Sequence, residues 1–132
     1  MKKLFMLCCA SLLAACSTSP STPKASLDGE VFYLQRIALP PDATLSVSLQ
    51  DVSLMDAPAV TLANQHGPIQ GSVPLPFHLD YDPTYVKPGH RYAIVARIKA
   101  DGKLLFVTTE QHAVTLNGKD PQPLRIKVNQ VP

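Results

Sequence analysis

The chain has 132 residues, of which 17% are charged, and its 12 basic and 10 acidic side chains give a formal net charge of +2. This length corresponds to one small domain. No stretch concentrates lysine and arginine into the basic patch that nucleic-acid binding requires. We therefore expect a single domain without a nucleic-acid partner.

The first 15 residues have the layout of a secretion signal. Lys2 and Lys3 precede an apolar stretch over residues 4–15, which matches the basic and hydrophobic regions of a signal peptide. As a helix, these residues would measure roughly 18 Å, whereas the hydrocarbon core of a bilayer is about 30 Å thick. We therefore predict that residues 1–15 form a cleaved signal peptide and not a membrane span.

Cys16 follows Leu13, Ala14 and Ala15, a run that resembles the lipobox of bacterial lipoproteins. The motif needs cysteine because its thiolate is the nucleophile that accepts the lipid. The resemblance implies cleavage before Cys16 and lipid attachment there; the alternative is an ordinary signal peptide with a chance cysteine. Ser17, in place of the Asp that marks inner-membrane retention, implies the periplasmic face of the outer membrane of a Gram-negative bacterium. Two or more acyl chains would hold the protein there stably.

Residues 16–27 are predicted to form the lipidated N-terminus and a tether. This segment is rich in Ser, Thr and Pro, a composition that cannot fill a hydrophobic core and is typical of flexible linkers. The domain itself is predicted to span residues 28–132. Once Lys2 and Lys3 are removed with the signal, basic and acidic side chains balance.

The domain is predicted to be all-β. Polar and apolar residues alternate in short runs, which indicates strands with one buried face. Asp101-Gly102 is a strong hairpin signal, and Pro88-Gly89 fits the centre of a type II turn. Eight segments are predicted as strands: 30–36, 44–51, 60–64, 76–81, 91–99, 103–109, 111–116 and 124–128. Seven or eight strands with such spacing favour a single small antiparallel β-sandwich, or alternatively a small barrel.

The domain shows no recognisable catalytic, metal or cofactor motif. The sequence has no G-x-S-x-G element or phosphate-binding loop, so we expect a protein that is not an enzyme and holds no cofactor or metal. Tyr81 and Tyr92 fall on apolar strand faces and are predicted to lie in the core, whereas Tyr85 lies in a loop. The candidates for contact with a partner or ligand are Asp80, Asp82, Tyr85 and His90.

Several segments resemble the YbaY family of lipoproteins, which shares its domain with YscW-type pilotins. They are RIALPPDA at 36–43, DVSLMDAPA at 51–59, VPLPF at 73–77, LDYD at 79–82, Arg91-Tyr92, and the Asp101-Gly102 turn. The resemblance covers roughly residues 29–128. It implies an outer-membrane lipoprotein with a β-sandwich domain and no active site; members of the pilotin branch escort secretin subunits to the outer membrane.

The sequence leaves two functions open, one based on binding a protein and the other on binding a small molecule. The first is a non-enzymatic lipoprotein that binds another envelope protein, such as a secretin, for example by accepting a partner strand at an exposed sheet edge. The second is a module that binds a small ligand or glycan, or a weak envelope enzyme. It would use a pocket around Asp80, Asp82, Tyr85 and His90.

Overall fold

The computed structural model describes residues 24–132, and the predicted signal peptide and Cys16 lie outside the described residues. The strands are β1 (Ala25–Phe32), β2 (Thr44–Asp51), β3 (Val60–Pro68), β4 (Leu75–Tyr81), β5 (Tyr92–Ala100), β6 (Lys103–Val107), β7 (His112–Val114), β8 (Leu124–Lys127) and β9 (Asn129–Gln130). A single 3-10 turn, Pro83–Tyr85, follows β4. No helix in this part of the chain is long and apolar enough to cross a membrane.

The strands form two sheets, and the predicted all-β sandwich is confirmed. The smaller sheet has the order β4-β1-β8 and the larger one β3-β2-β5-β6-β9, with β7 also paired to β5. One pair departs from the antiparallel prediction, because β8 runs parallel to β1. Val128 N–H still bonds Phe32 O in the smaller sheet, and Asn129 already pairs with Val107 in the larger one. The chain therefore passes from one sheet to the other at Val128, and β9 is a strand that was not predicted.

The core lies between the inner faces of the two sheets. In β2 and β4 every second residue is buried, as a strand with one packed face requires. Tyr81 and Tyr92 are buried, as predicted. The ring of Tyr33 stacks on Phe106 with centroids 4.3 Å apart, and its hydroxyl donates to Ile37 O at 2.7 Å. This bond closes the chain back on itself directly after β1.

The first strand lies earlier in the chain than predicted. β1 begins at Ala25, inside the segment predicted as a tether, and ends at Phe32 instead of residue 36. Leu27 and Val31 are buried on one face while Ser26 and Asp28 are exposed on the other. Because Ser26 and Asp28 are polar, the first half of β1 has a composition that is also typical of a linker. The predicted tether is therefore shorter by three residues.

The two ends of the sandwich carry different loops. At one end, Ala25 pairs with Tyr81 and Asp51 with Val60 and Tyr92, so the chain enters the fold beside loops 52–59 and 82–91. We call this the Lys24 end. The opposite end carries loop 33–43, loop 69–74 and the hairpin turn of β5 and β6. Asp101 and Gly102 have positive φ there, of 51° and 72°, as the hairpin prediction required. We call it the Asp101 end.

Candidate functional site

The four predicted contact residues do not converge on one pocket. Asp80 lies on the exposed face of β4 and contacts His78. Asp82 caps the 3-10 turn by accepting hydrogen bonds from the backbone N–H and the hydroxyl of Thr84; these bonds lower the pKa of Asp82. Tyr85 and His90 both lie near the end of β2 but line different cavities. Asp80 and Asp82 thus have local partners, and the geometry gives no shared pocket for a small ligand.

His90 belongs to a network centred on Asp51. One Asp51 carboxylate oxygen accepts from Ser53 N–H at 3.0 Å and from Ser53 Oγ at 2.6 Å. The other lies 2.6 Å from His90 Nδ1. These bonds, that from the Ser53 hydroxyl foremost, lower the pKa of Asp51 to about 2. Ser53 Oγ in turn accepts from Arg91 N–H at 2.7 Å, so the network fastens loop 52–59 to the start of β5.

This network does not have the order of a catalytic triad. A serine nucleophile must donate its proton to the imidazole, whereas here both Ser53 and His90 are directed at Asp51. The arrangement orients side chains and loops, and no base is placed to activate the hydroxyl. Among the described residues, no three His, Cys, Asp or Glu side chains are grouped to hold a metal ion.

A second histidine bridges two strands of the smaller sheet. His78 Nδ1 lies 2.5 Å from an Asp28 carboxylate oxygen, and Nε2 lies 2.8 Å from one of Asp80. The hydrogen bond with Asp28, followed by that with Asp80, raises the pKa of His78. All three side chains are more than half exposed. Because both ring nitrogens face carboxylates, the cationic form of the imidazole is stabilised relative to the neutral form, and the side chain ties β1 to β4.

The Lys24 end exposes a group of apolar side chains. Leu54, Met55, Val60 and Tyr85 have 68%, 90%, 62% and 67% of their surface accessible. Beside them lies a shallow cavity of about 250 Å³ lined by Val60, Tyr85 and Lys87, with Asp51 and Leu62. We call Leu54, Met55, Val60 and Tyr85 together the apolar end surface.

A cleft opens between the edges of β3 and β4, where the two sheets meet without pairing. It measures about 280 Å³ and has apolar walls and glutamine side chains at its rim. Its lining is Leu45, Gln65, Gly67, Pro68, Ile69, Gln70, Leu75 and Pro76. We call it the seam cleft. Pro68, Ile69 and Leu75 place it toward the Asp101 end.

The β4 edge of the seam cleft is unsuited to strand addition. Gln65 Oε1 accepts from His78 N–H at 2.8 Å, so this N–H points away from β1 and is already satisfied. Residues two apart in a strand direct their backbone groups to the same side. Pro76 therefore stands at the next outward position, where it offers no donor. A partner in this cleft would be recognised through its side chains.

A second groove follows the opposite seam, between β7 and β8. It measures about 410 Å³ and is lined mainly by apolar residues, among them Val114, Leu124 and Ile126. His112 Nε2 lies 3.3 Å from Lys127 O across this seam.

Sequence reasoning missed both the Asp51 network and the seam cleft. The network had a local signal, because an Asp two residues before a Ser at a strand end commonly forms such a turn. The cleft had none, since only the folded sandwich brings Leu45 of β2 and Leu75 of β4 to Ile69 in the loop between β3 and β4.

The sequence of this chain is similar to those of known bacterial lipoproteins. The sequence profile of the family described as "Type III secretion system lipoprotein chaperone (YscW)" matches residues 22–126. An "Uncharacterized lipoprotein YbaY" of Escherichia coli (strain K12) is 35% identical over 113 residues, which are 84% of this chain and 60% of that protein. The chain thus spans about 60% of the length of this relative.

A solved structure is also similar over most of the chain. It is described as "Structure of an alternative pilotin from the type II secretion system of Vibrio cholerae", with a TM-score of 0.76 and 42% identity, covering 83% of this chain and 98% of that one. With the profile match over residues 22–126, these likenesses show that the chain belongs to the YscW family of lipoprotein chaperones, as the sequence motifs indicated.

Proposed function

We propose that this chain is a non-enzymatic, lipid-anchored chaperone that binds a secretin subunit at the periplasmic face of the outer membrane. The observation that carries the proposal is the 42% identity to a pilotin across 83% of the chain, supported by the family match. The absence of a nucleophile–base pair in the Asp51 network is consistent with a binding role.

The lipid anchor is assigned to Cys16. The lipobox-like run before it supplies the chemistry, because a thiolate is required for acylation. A Cys16→Ala protein should lose palmitate labelling and leave the membrane fraction. Unchanged labelling of this variant would refute the assignment.

The seam cleft is the surface that we assign to the partner. Concave sites with apolar walls and a few polar groups at the rim are the usual form of binding pockets. Leu45, Ile69 and Leu75 supply the walls, and Gln65 and Gln70 supply amide groups. The cleft also lies toward the Asp101 end, away from the point where the chain leaves for Cys16, so a membrane anchor would leave it open to the periplasm.

The test is co-purification with the secretin subunit of the same bacterium, together with the share of that subunit in the outer-membrane fraction. Ile69→Asp places a charge in the cleft, and we expect at least a tenfold loss of affinity, equivalent to about 1.4 kcal/mol. Ala113→Asp, in the groove between β7 and β8, is the matched control and should bind normally. Equal binding by both folded variants would exclude the cleft, and no secretin binding by the wild type would exclude the function.

A further inference from the structure

We propose that the Lys24 end of the domain docks on the bilayer surface, with the apolar end surface inserted among the lipid headgroups. This inference rests on the proposed lipidation of Cys16. It assigns to this end a second contact with the membrane, separate from the secretin-binding seam cleft.

Exposed apolar side chains are concentrated at this end. Of the six large hydrophobic side chains that are exposed among residues 24–132, four belong to the apolar end surface, and only Leu34 and Ile37 lie at the opposite end. Single exposed apolar residues are ordinary, but a group of them marks a contact surface. Tyr85 adds an aromatic ring with a polar tip, the kind of side chain that is enriched at membrane–water interfaces.

The length of chain between Cys16 and Lys24 limits which end can face the membrane. The two residues are eight positions apart, so even a fully extended chain spans at most about 26–29 Å. Lys24 leaves the fold beside Tyr81, the residue before the loop that carries Tyr85. Turning the Asp101 end to the membrane would require the chain to run back along β1, about 26 Å for its eight residues. Of the two ends, therefore, only the Lys24 end can lie on the bilayer with slack in the chain.

The loops at this end are held so that their apolar tips stay outside the core. The Asp51 network fixes Ser53 to Arg91, and the next two residues, Leu54 and Met55, project into solvent. Little ordering is then required when they enter the interface, which favours binding.

Charges at the Lys24 end suit a surface that carries phosphate groups. Lys24, Lys87 and Arg91 are exposed there and can reach headgroup phosphates, which attract basic residues. The carboxylates of Asp51 and Asp82 are occupied by hydrogen bonds within the domain. Asp56, next to Met55, is an exposed carboxylate at the same end, and the three basic side chains outnumber it.

A tryptophan reporter tests this orientation, since the chain contains no tryptophan. Met55→Trp places the reporter in the apolar end surface. Leu34→Trp is the matched control at the Asp101 end, because Leu34 is also highly exposed, at 69%. Each full-length protein is purified in its lipidated form and reconstituted in vesicles of phosphatidylethanolamine and phosphatidylglycerol, with or without bromine on the acyl chains.

We expect the Met55→Trp emission to shift to the blue and to fall about twofold or more with brominated lipid, as for side chains buried about 5–10 Å into the interface. The Leu34→Trp emission should not change. Vesicle-bound Met55→Trp protein with unquenched, water-like emission would overturn the docking and leave the chaperone function intact. A blue shift that occurs only after purified secretin subunit is added would also overturn it, because the surface would then contact protein. Failure of lipidation would show separately, as loss of palmitate and of vesicle binding.

Discussion

Replacing Gly29 with alanine should destabilise the domain, because Gly29 lies at the centre of β1 between two neighbours that leave no room for a side chain. It pairs with Phe77 on β4 and with Leu124 on β8. A Cβ at this position would lie 2.5 Å from Phe77 Cζ and 2.7 Å from Leu124 O, whereas carbon atoms normally pack about 3.5–4.0 Å apart.

The magnitude follows from how little the neighbours can move. The Phe77 ring would have to retreat by about 1 Å, but it is only 4% exposed and lies in a close-packed interior. Overpacking of this kind costs about 1–3 kcal/mol. The reduced freedom of the unfolded chain offsets about 0.4–1 kcal/mol. We expect a net loss of about 1–2 kcal/mol in the free energy of unfolding, or a fall in Tm of roughly 5–15 °C.

Urea and thermal unfolding of the purified protein measure this change. Gly67→Ala is the matched control, since a Cβ there meets no atom within 4 Å; its stability should rise by about 0.4–1 kcal/mol, because only the reduced freedom of the unfolded chain acts there. In a Phe77→Leu background the alanine should cost less, because the shorter side chain removes one of the two clashes, and a double-mutant cycle isolates that term. Wild-type stability of Gly29→Ala would refute the reasoning.

Three further changes test individual contacts. Tyr33→Phe removes the hydroxyl that donates to Ile37 O and should lower the unfolding free energy by about 0.5–1.5 kcal/mol; an unchanged urea midpoint would contradict this. The pKa of Asp51 is lowered from 3.8 to about 2, which stabilises the fold above pH 3.8. This contribution to the free energy of unfolding, at most about 2 kcal/mol, is lost as the pH falls toward 2. Asp51→Asn should abolish that part of the acid dependence, and a variant with the wild-type pH profile would exclude the network as its source. The raised pKa of His78 stabilises the fold below pH 6.5 and the effect fades as pH rises through the folded value. The urea midpoint should therefore fall less between pH 5.5 and 8.5 in His78→Asn than in the wild type, and equal falls would count against the His78 bridge.

The alternation of side chains made most strands predictable. β2 was predicted at its observed bounds because Leu45, Val47 and Leu49 alternate with polar residues and nothing interrupts them. Asp101-Gly102 fixed the hairpin of β5 and β6, since both positions needed positive φ. β1 was misplaced because its outward residues are Ser26 and Asp28, which also suit a linker, and the parallel pairing of β1 with β8 has no local signature.

The candidate site was less predictable than the fold. Tyr85 was expected to be exposed because it lies in a loop, and it is. His90 was selected without its partner, since Asp51 is 39 residues away in sequence. Sequence patterns report which face of a strand a residue occupies, but they carry little information about which strand edges meet, and the seam cleft depends on such a meeting.

The position of β1 also limits how the domain could be oriented on a membrane if Cys16 is the proposed lipid anchor. Had the first strand begun at residue 30, as predicted, 13 positions would separate Cys16 from the residue before that strand, and an extended chain of roughly 43–47 Å would let either end face the bilayer. Because β1 starts at Ala25, the limit falls to about 26–29 Å, close to the length of β1 itself. With Cys16 as the proposed anchor, the same short strand segment that resembles a linker in sequence would therefore orient the domain. It would direct the apolar end surface at the lipid and hold the seam cleft on the periplasmic side, open to the proposed secretin partner.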